Sequence, residues 1–273
     1  MLVFSIVFAG AFTLSLPFLL LAIARRKWTD MSRVPFVWGL VMYTVFAFIL
    51  QSSILDGVIM RQFLGLQKDG SMTLALTAPL FFSLVTGFQA GVFEETARFV
   101  SFNILKRKHS GLKTAVSYGI GHGGVESIIM VGLTAVISLI ILAYHGKIGS
   151  GLRAELVAAQ YQDLITTPIA EFWWSAYERV PACAIHIGLS VINWCAVNVK
   201  GKKWLFPVAI LMHTTVDFTV RAAQLGLEAA NPGGVGGINR IATEALTTIF
   251  TVVICIAARK IYKKYAESGQ EEK

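Results

Sequence analysis

Apolar residues run almost unbroken through seven stretches of the chain, roughly 2–24, 34–55, 73–105, 113–144, 169–199, 204–225 and 241–258. A helix needs about 20 mostly apolar residues to cross a bilayer, so each stretch predicts one membrane-spanning helix. The third to fifth exceed a single crossing and are expected to tilt, protrude or break. Basic residues fall in alternate connections. Arg25, Arg26, Lys27 and Arg33 follow the first run; Lys106, Arg107, Lys108 and Lys113 follow the third. Lys200, Lys202 and Lys203 follow the fifth, and Arg259, Lys260, Lys263 and Lys264 follow the seventh. The opposite connections hold only Arg61, Lys68, Lys147, Arg153 and Arg240. Positive charge stays on the cytoplasmic side, which predicts an outer N-terminus and a cytoplasmic C-terminus. The first run has no basic segment ahead of it, so it reads as a retained anchor and not as a signal peptide. The connection at about 145–168, with Leu152, Leu156 and Leu164 among polar residues, reads as a short interfacial helix or as an ordinary loop. No convincing internal repeat is visible.

Composition sharpens this picture. Of 273 residues, 55% are hydrophobic and only 15% charged; mean hydropathy is +0.64. A soluble domain carries about 25% charged residues. The expected fold is therefore all-α: a polytopic membrane bundle of about seven helices, with residues 1–265 as a single integral domain and 266–273 as a polar cytoplasmic tail. The formal charge of +8 is a topology signal, and no basic soluble module exists to bind nucleic acid. Cys183, Cys195 and Cys255 each sit inside an apolar run and form no CxxC, so they read as small core residues.

The informative residues are those that resist the pattern. A charged side chain at the centre of a bilayer costs about 2.5–3.5 kcal/mol on insertion scales. The third run nevertheless contains Glu94, Glu95 and Arg98; the fourth, His122 and Glu126; the fifth, Glu178, Arg179 and His186; the sixth, His213, Asp217 and Arg221. Counted from the basic connections at about 1.5 Å per residue, Glu94, Glu95, His122, Glu126, His186, His213 and Asp217 lie about 13–20 Å deep. Four helices thus bring polar groups to one layer. Glu95/Arg98, His122/Glu126 and His213/Asp217 are spaced to share a helix face. Gly119, Gly121, Gly123 and Gly124 surround His122. They serve either close helix packing or room for a substrate backbone or water.

Two adjacent carboxylates cannot both stay ionised at low dielectric without a cation. Arg98 can pair with one, leaving the other as a general base for a water, while histidines at that depth can stabilise an oxyanion. GxSxG and HExxH are both absent. His122, His186, His213, Glu126 and Asp217 are also residue types that bind zinc.

The segment Gly91-Val92-Phe93-Glu94-Glu95-Thr96-Ala97-Arg98 resembles the EExxR motif of the glutamic-type intramembrane proteases, the group of the PrsW proteases and the CAAX prenyl endopeptidase relatives. Tyr118 through Glu126 resembles the PrsW glycine-rich segment. Arg179 with His186 resembles its third motif, and His213-Thr214-Thr215-Val216-Asp217 its fourth. The YhfC-like branch matches best, over roughly residues 80–220, which the resemblance makes the catalytic core. It implies a bacterial cytoplasmic-membrane peptidase without a metal, acting on a membrane protein or peptide. Glu94 and Glu95 would activate water and Arg98 would organise them. His186 and His213 would position the water or stabilise the oxyanion, Asp217 would orient His213, and His122 and Glu126 would complete the pocket. The CAAX enzymes carry one more spacer residue, so a prenylated substrate is not implied. From residue types alone, a proton- or cation-coupled transporter and a non-catalytic peptide-binding relative are the competing readings.

Overall fold

The computed structural model describes residues 1–59, 63, 65, 73–147, 151–230 and 238–265. Arg61, Lys68 and the tail Glu267–Lys273 lie outside the described residues. Among the described residues, seven helical rods follow the seven apolar runs, one shorter helix lies between the fourth and fifth, and there is no strand. α1 is Leu2–Lys27. α2, Val34–Tyr43, continues into α3, Thr44–Ile59, whose turns widen to i→i+5 pairing. The Ser52 and Ser53 hydroxyls there donate five residues back, at 3.0 and 2.9 Å. α4, Thr73–Thr77, precedes α5, Pro79–Leu105. α6, Leu112–Ser127, runs through a widened segment, Ile128–Leu133, into α7, Thr134–Tyr144. α8 is Leu152–Thr166, so the 145–168 connection does contain a helix. α9 is Ile169–Asn198, α10 Leu205–Ala230 and α11 Ile238–Tyr265.

The three over-long runs resolve in three ways. The third breaks at Ala78, just ahead of Pro79, where proline's missing N–H makes it a natural first helical residue. The fourth widens in mid-course. The fifth stays one 30-residue helix.

The protein is an all-α polytopic membrane bundle. Among the described residues, five rods are long and apolar enough to cross a membrane: Leu2–Lys27, Val34–Gly57, Leu112–Tyr144, Ile169–Asn198 and Asn239–Tyr265. α9 is the central one, with 78% of its most apolar window buried against 28–39% for the other four. Phe4, Phe18, Leu19, Ile140, Leu211 and Ile249 point outward, which in water would be an unstable surface and in lipid is the expected one. The remaining two rods, α5 with Glu94, Glu95 and Arg98 and α10 with Asp217 and Arg221, pack extensively on one another.

The glycines of α6 explain how a histidine reaches the centre. A Cβ on Gly121 would lie 2.0 Å from the Phe36 carbonyl of α2. One on Gly119 would lie 2.6 Å from Ile187 Cα of α9, and one on Gly124 2.3 Å from Pro17 of α1. Three helices therefore approach α6 at backbone distance, the reading of small residues as packing surfaces. Gly91 serves the α5–α10 contact in the same way, since a Cβ there would meet Thr214 Oγ1 at 2.5 Å and the Ile210 carbonyl at 2.9 Å.

All four basic connections gather at one end. Lys113 pairs with Asp30, and Ser117 Oγ donates to the Ser32 carbonyl at 3.0 Å. These bonds join the α1–α2 turn to the start of α6. Lys202 sits 4.3 Å above the Tyr265 ring, bringing the α9–α10 turn to the end of α11.

Candidate active site

Four helices, α5, α6, α9 and α10, deliver the polar residues inside the bundle. α5 presents Glu94, Glu95 and Arg98 toward α6, α9 and α10. Arg98 and Glu95 are completely buried. Arg98 Nη1 donates to Glu95 Oε1, and Arg98 Nη2 lies 2.6 Å from His186 Nδ1 and 3.7 Å from Glu94 Oε2. Glu95 also meets His213 Nδ1 at 2.7 Å and accepts from Asn193 Nδ2 at 2.6 Å. Both its oxygens are therefore committed. Glu94 differs: its Oε2 meets His122 Nε2 at 2.9 Å and faces His186 Nδ1 at 3.8 Å and His213 Nε2 at 3.9 Å. It also lines a cavity of about 420 Å³ shared with Glu126, His186, His213 and Asp217.

The structure thus brings all eight sequence-derived residues together. His186 Nε2 pairs with Glu126 Oε2. Asp217 Oδ2 is 3.6 Å from His213 Nε2, and its side chain keeps 37% exposure toward the cavity. The expected partnership of Asp217 with His213 is the looser of two, because Glu95 holds the other ring nitrogen at 2.7 Å.

Three side chains went unread or under-read in the sequence. Asn193 is fully buried on Glu95. Arg179, matched with His186 to the third motif but given no role in the pocket, donates to Glu178 Oε1 at 2.5 Å and to Glu126 Oε1 at 3.0 Å. Tyr43 places its ring edge-on to His122, centroids 5.0 Å apart. Arg179, His186 and Asn193 are spaced by seven residues, two helical turns on one face; that periodicity was the available signal. Tyr43 had none, since it sits in an apolar run on another helix. Arg221 is exposed at the cavity wall, 3.4 Å from Gln224 Oε1 and over the Phe82 ring.

Two imidazole nitrogens and one carboxylate oxygen, from His186, His213 and Glu94, lie within 4.8 Å of one another. This donor set fits a divalent ion such as zinc. Each imidazole is backed on its far nitrogen by a carboxylate, Glu126 behind His186 and Glu95 behind His213, the arrangement that orients histidine ligands. With Nδ1–H of His213 directed at Glu95, its Nε2 faces two carboxylates at 3.9 and 3.6 Å, a position filled by a proton or a metal ion. The contact an ion would displace is that of Arg98 with His186 Nδ1.

The fold and this cluster define a class: a polytopic membrane protein with an acid-lined cavity and a buried His/His/Glu donor set among its lining residues. A family model described as YhfC intramembrane metalloprotease matches residues 12–233. The chain belongs to that family. The uncharacterized membrane protein YhfC of Bacillus subtilis (strain 168) is 30% identical over 228 residues, spanning 80% of this chain and 84% of the relative. No solved structure matches. The YhfC resemblance and the membrane-protease class are thereby borne out. The glutamic type and the PrsW and CAAX ties find no support in either comparison, and the family's description names a metal where the resemblance implied none.

Proposed function

We propose that the protein hydrolyses a peptide bond of a membrane protein or peptide at this cavity, in a bacterial cytoplasmic membrane. In this reading residues 1–265 form one integral domain with its core at about 80–220. The N-terminus is outside, and the 266–273 tail lies in the cytoplasm with the basic end. The observation that carries it is the meeting of Glu94, His186 and His213 within 4.8 Å at an acid-lined cavity of about 420 Å³. Those three residues would hold the metal ion that the family's description names. A bound divalent ion supplies Lewis-acid stabilisation of the carbonyl and a water deprotonated near neutral pH.

The chain's own residues do the rest. His122 Nε2 steadies Glu94 Oε2 at 2.9 Å. Glu95 and Glu126 fix the two remaining rings. Arg98 balances the charge of Glu94 and Glu95. Asp217, the acid most open to the cavity, takes the proton of the attacking water on Oδ2 and returns it to the leaving amine. A second reading rests on the 2.6 Å contact of Arg98 Nη2 with His186 Nδ1, which occupies a would-be ligand atom. There Glu94 is itself the base for a metal-free, glutamate-activated water.

One experiment tests both. Purified protein is analysed for zinc and assayed on a candidate membrane substrate beside Glu94→Gln and His213→Ala. Cleavage by wild type alone supports the peptidase. About one zinc per chain, lost in both variants, selects the metal reading. Equal cleavage by all three proteins overturns the peptidase assignment, and peptide binding with no turnover by wild type identifies a non-catalytic relative.

A further inference from the structure

Away from the acid cavity, the basic end of the bundle contains a second cavity of about 500 Å³ between α1, α9 and α11. That volume falls in the ~300–1,000 Å³ range of small-molecule sites. Its floor is apolar, with Ile187, Gly188 and Val191 of α9, and its rim carries Lys27, Arg259 and Lys263. A Cβ on Gly188 would meet Ile254 at 2.6 Å, so α11 lies hard against α9 at the deep end of the groove.

The three rim cations are exposed and have no carboxylate within ion-pair reach among the described residues. Lys27 meets only the Trp28 ring, at 4.9 Å. Elsewhere Arg179 is answered by Glu126 and Glu178, Arg240 by Glu171, Glu178 and Glu244, and Lys113 by Asp30. Three uncompensated charges on the rim of an apolar groove, at the membrane-facing basic end, are complementary to one ligand chemistry: a phosphate headed by hydrocarbon.

We propose that this groove binds a single anionic phospholipid, its phosphate on Lys27, Arg259 and Lys263 and an acyl chain along Ile187, Gly188 and Val191. Basic pockets between membrane helices recognise lipid headgroups by this charge pattern. The proposal stands on residues outside the acid cavity and is independent of the peptidase reading.

The test uses the full chain, purified in mild detergent and examined by native mass spectrometry with phosphatidylglycerol, phosphatidylcholine or inorganic phosphate added. One phosphatidylglycerol per chain is expected to survive where phosphatidylcholine does not. Each basic residue near a membrane surface is worth a factor of about five, so Lys27→Gln/Arg259→Gln/Lys263→Gln together should weaken retention on the order of a hundredfold. The control Lys106→Gln/Arg107→Gln/Lys200→Gln removes three cations of the same end that do not line the groove; it should leave retention nearly unchanged. Cys255, exposed in the groove, reports position: its alkylation should slow with phosphatidylglycerol in wild type and not in the rim variant. Equal loss in both triple variants, equal retention of the zwitterionic lipid, displacement of the lipid by phosphate, or unprotected Cys255 would each overturn the site.

Discussion

Arg98, His213 and Asn193 occupy both oxygens of Glu95, while Glu94, one residue earlier on α5, keeps Oε2 toward the cavity. Neighbouring residues of a helix point about 100° apart, and here that angle separates a carboxylate bound on both oxygens inside the bundle from one that lines the cavity. Glu94→Gln should therefore abolish cleavage and, compared as metal-free protein, leave thermal unfolding in detergent close to wild type. Glu95→Ala should be different in kind. It strips a fully buried guanidinium of its close acid partner, a change that costs about 3–5 kcal/mol, and unfolding should shift strongly. Asn193→Ala leaves Glu95 Oε2 without its 2.6 Å donor. A charged buried acceptor left unmet costs about 2 kcal/mol, so a smaller downward shift of the melt is expected, together with weaker zinc retention as Glu95 loosens behind His213. An unshifted melt for Asn193→Ala would show that this bond does not hold the site.

Among the elements, α6 is the one whose sequence is most tightly bound to its neighbours. Four glycines in six residues penalise an isolated helix by about 1 kcal/mol each, and the return is backbone contact with α1, α2 and α9. Gly121→Ala places a methyl 2.0 Å from the Phe36 carbonyl. Backbone cannot step aside as a flexible side chain does, so α2 must shift, at about 1–3 kcal/mol or more. Gly226→Ala in α10 has nothing within 4 Å and removes a glycine from a helix; it should be neutral or stabilising by up to about 1 kcal/mol. Matched melts of the two proteins check the pair, and similar behaviour would contradict the packing role of α6. α9 is built on another logic. Its seven-residue spacing of Arg179, His186 and Asn193 draws an ionic line along one face, ending in the cluster where Arg240 of α11 meets Glu171, Glu178 and Glu244.

At the scale of the molecule, the gathering of the four basic connections at one end agrees with their alternation along the chain. Cysteines placed at Lys108 and Lys202 should accept a membrane-impermeant thiol reagent only from the cytoplasmic side, and one at Thr166, the last residue of α8, only from outside. The mirror result would invert the proposed topology. The outward apolar surface and the inward polar cluster divide the molecule between two solvents. Lipid takes the first, and the acid cavity shields the second.

The helical rods, their order, the basic end and the shared depth of Glu94, His122, His186 and His213 are properties of spacing along the chain, and spacing is what a sequence records. Long apolar runs have no alternative in a bilayer but to satisfy their backbone within a helix, so the fold class followed from composition and run length. Partner choice did not. Whether Glu94 or Glu95 faced the cavity, that Asn193 and Arg179 joined the site, and that Tyr43 lay against His122 depended on helix rotation. Rotation is set by which glycines let which backbones touch, a contact between residues far apart in the chain. The tertiary structure alone decided those angles, and with them which acid is bound on both oxygens and which lines the cavity.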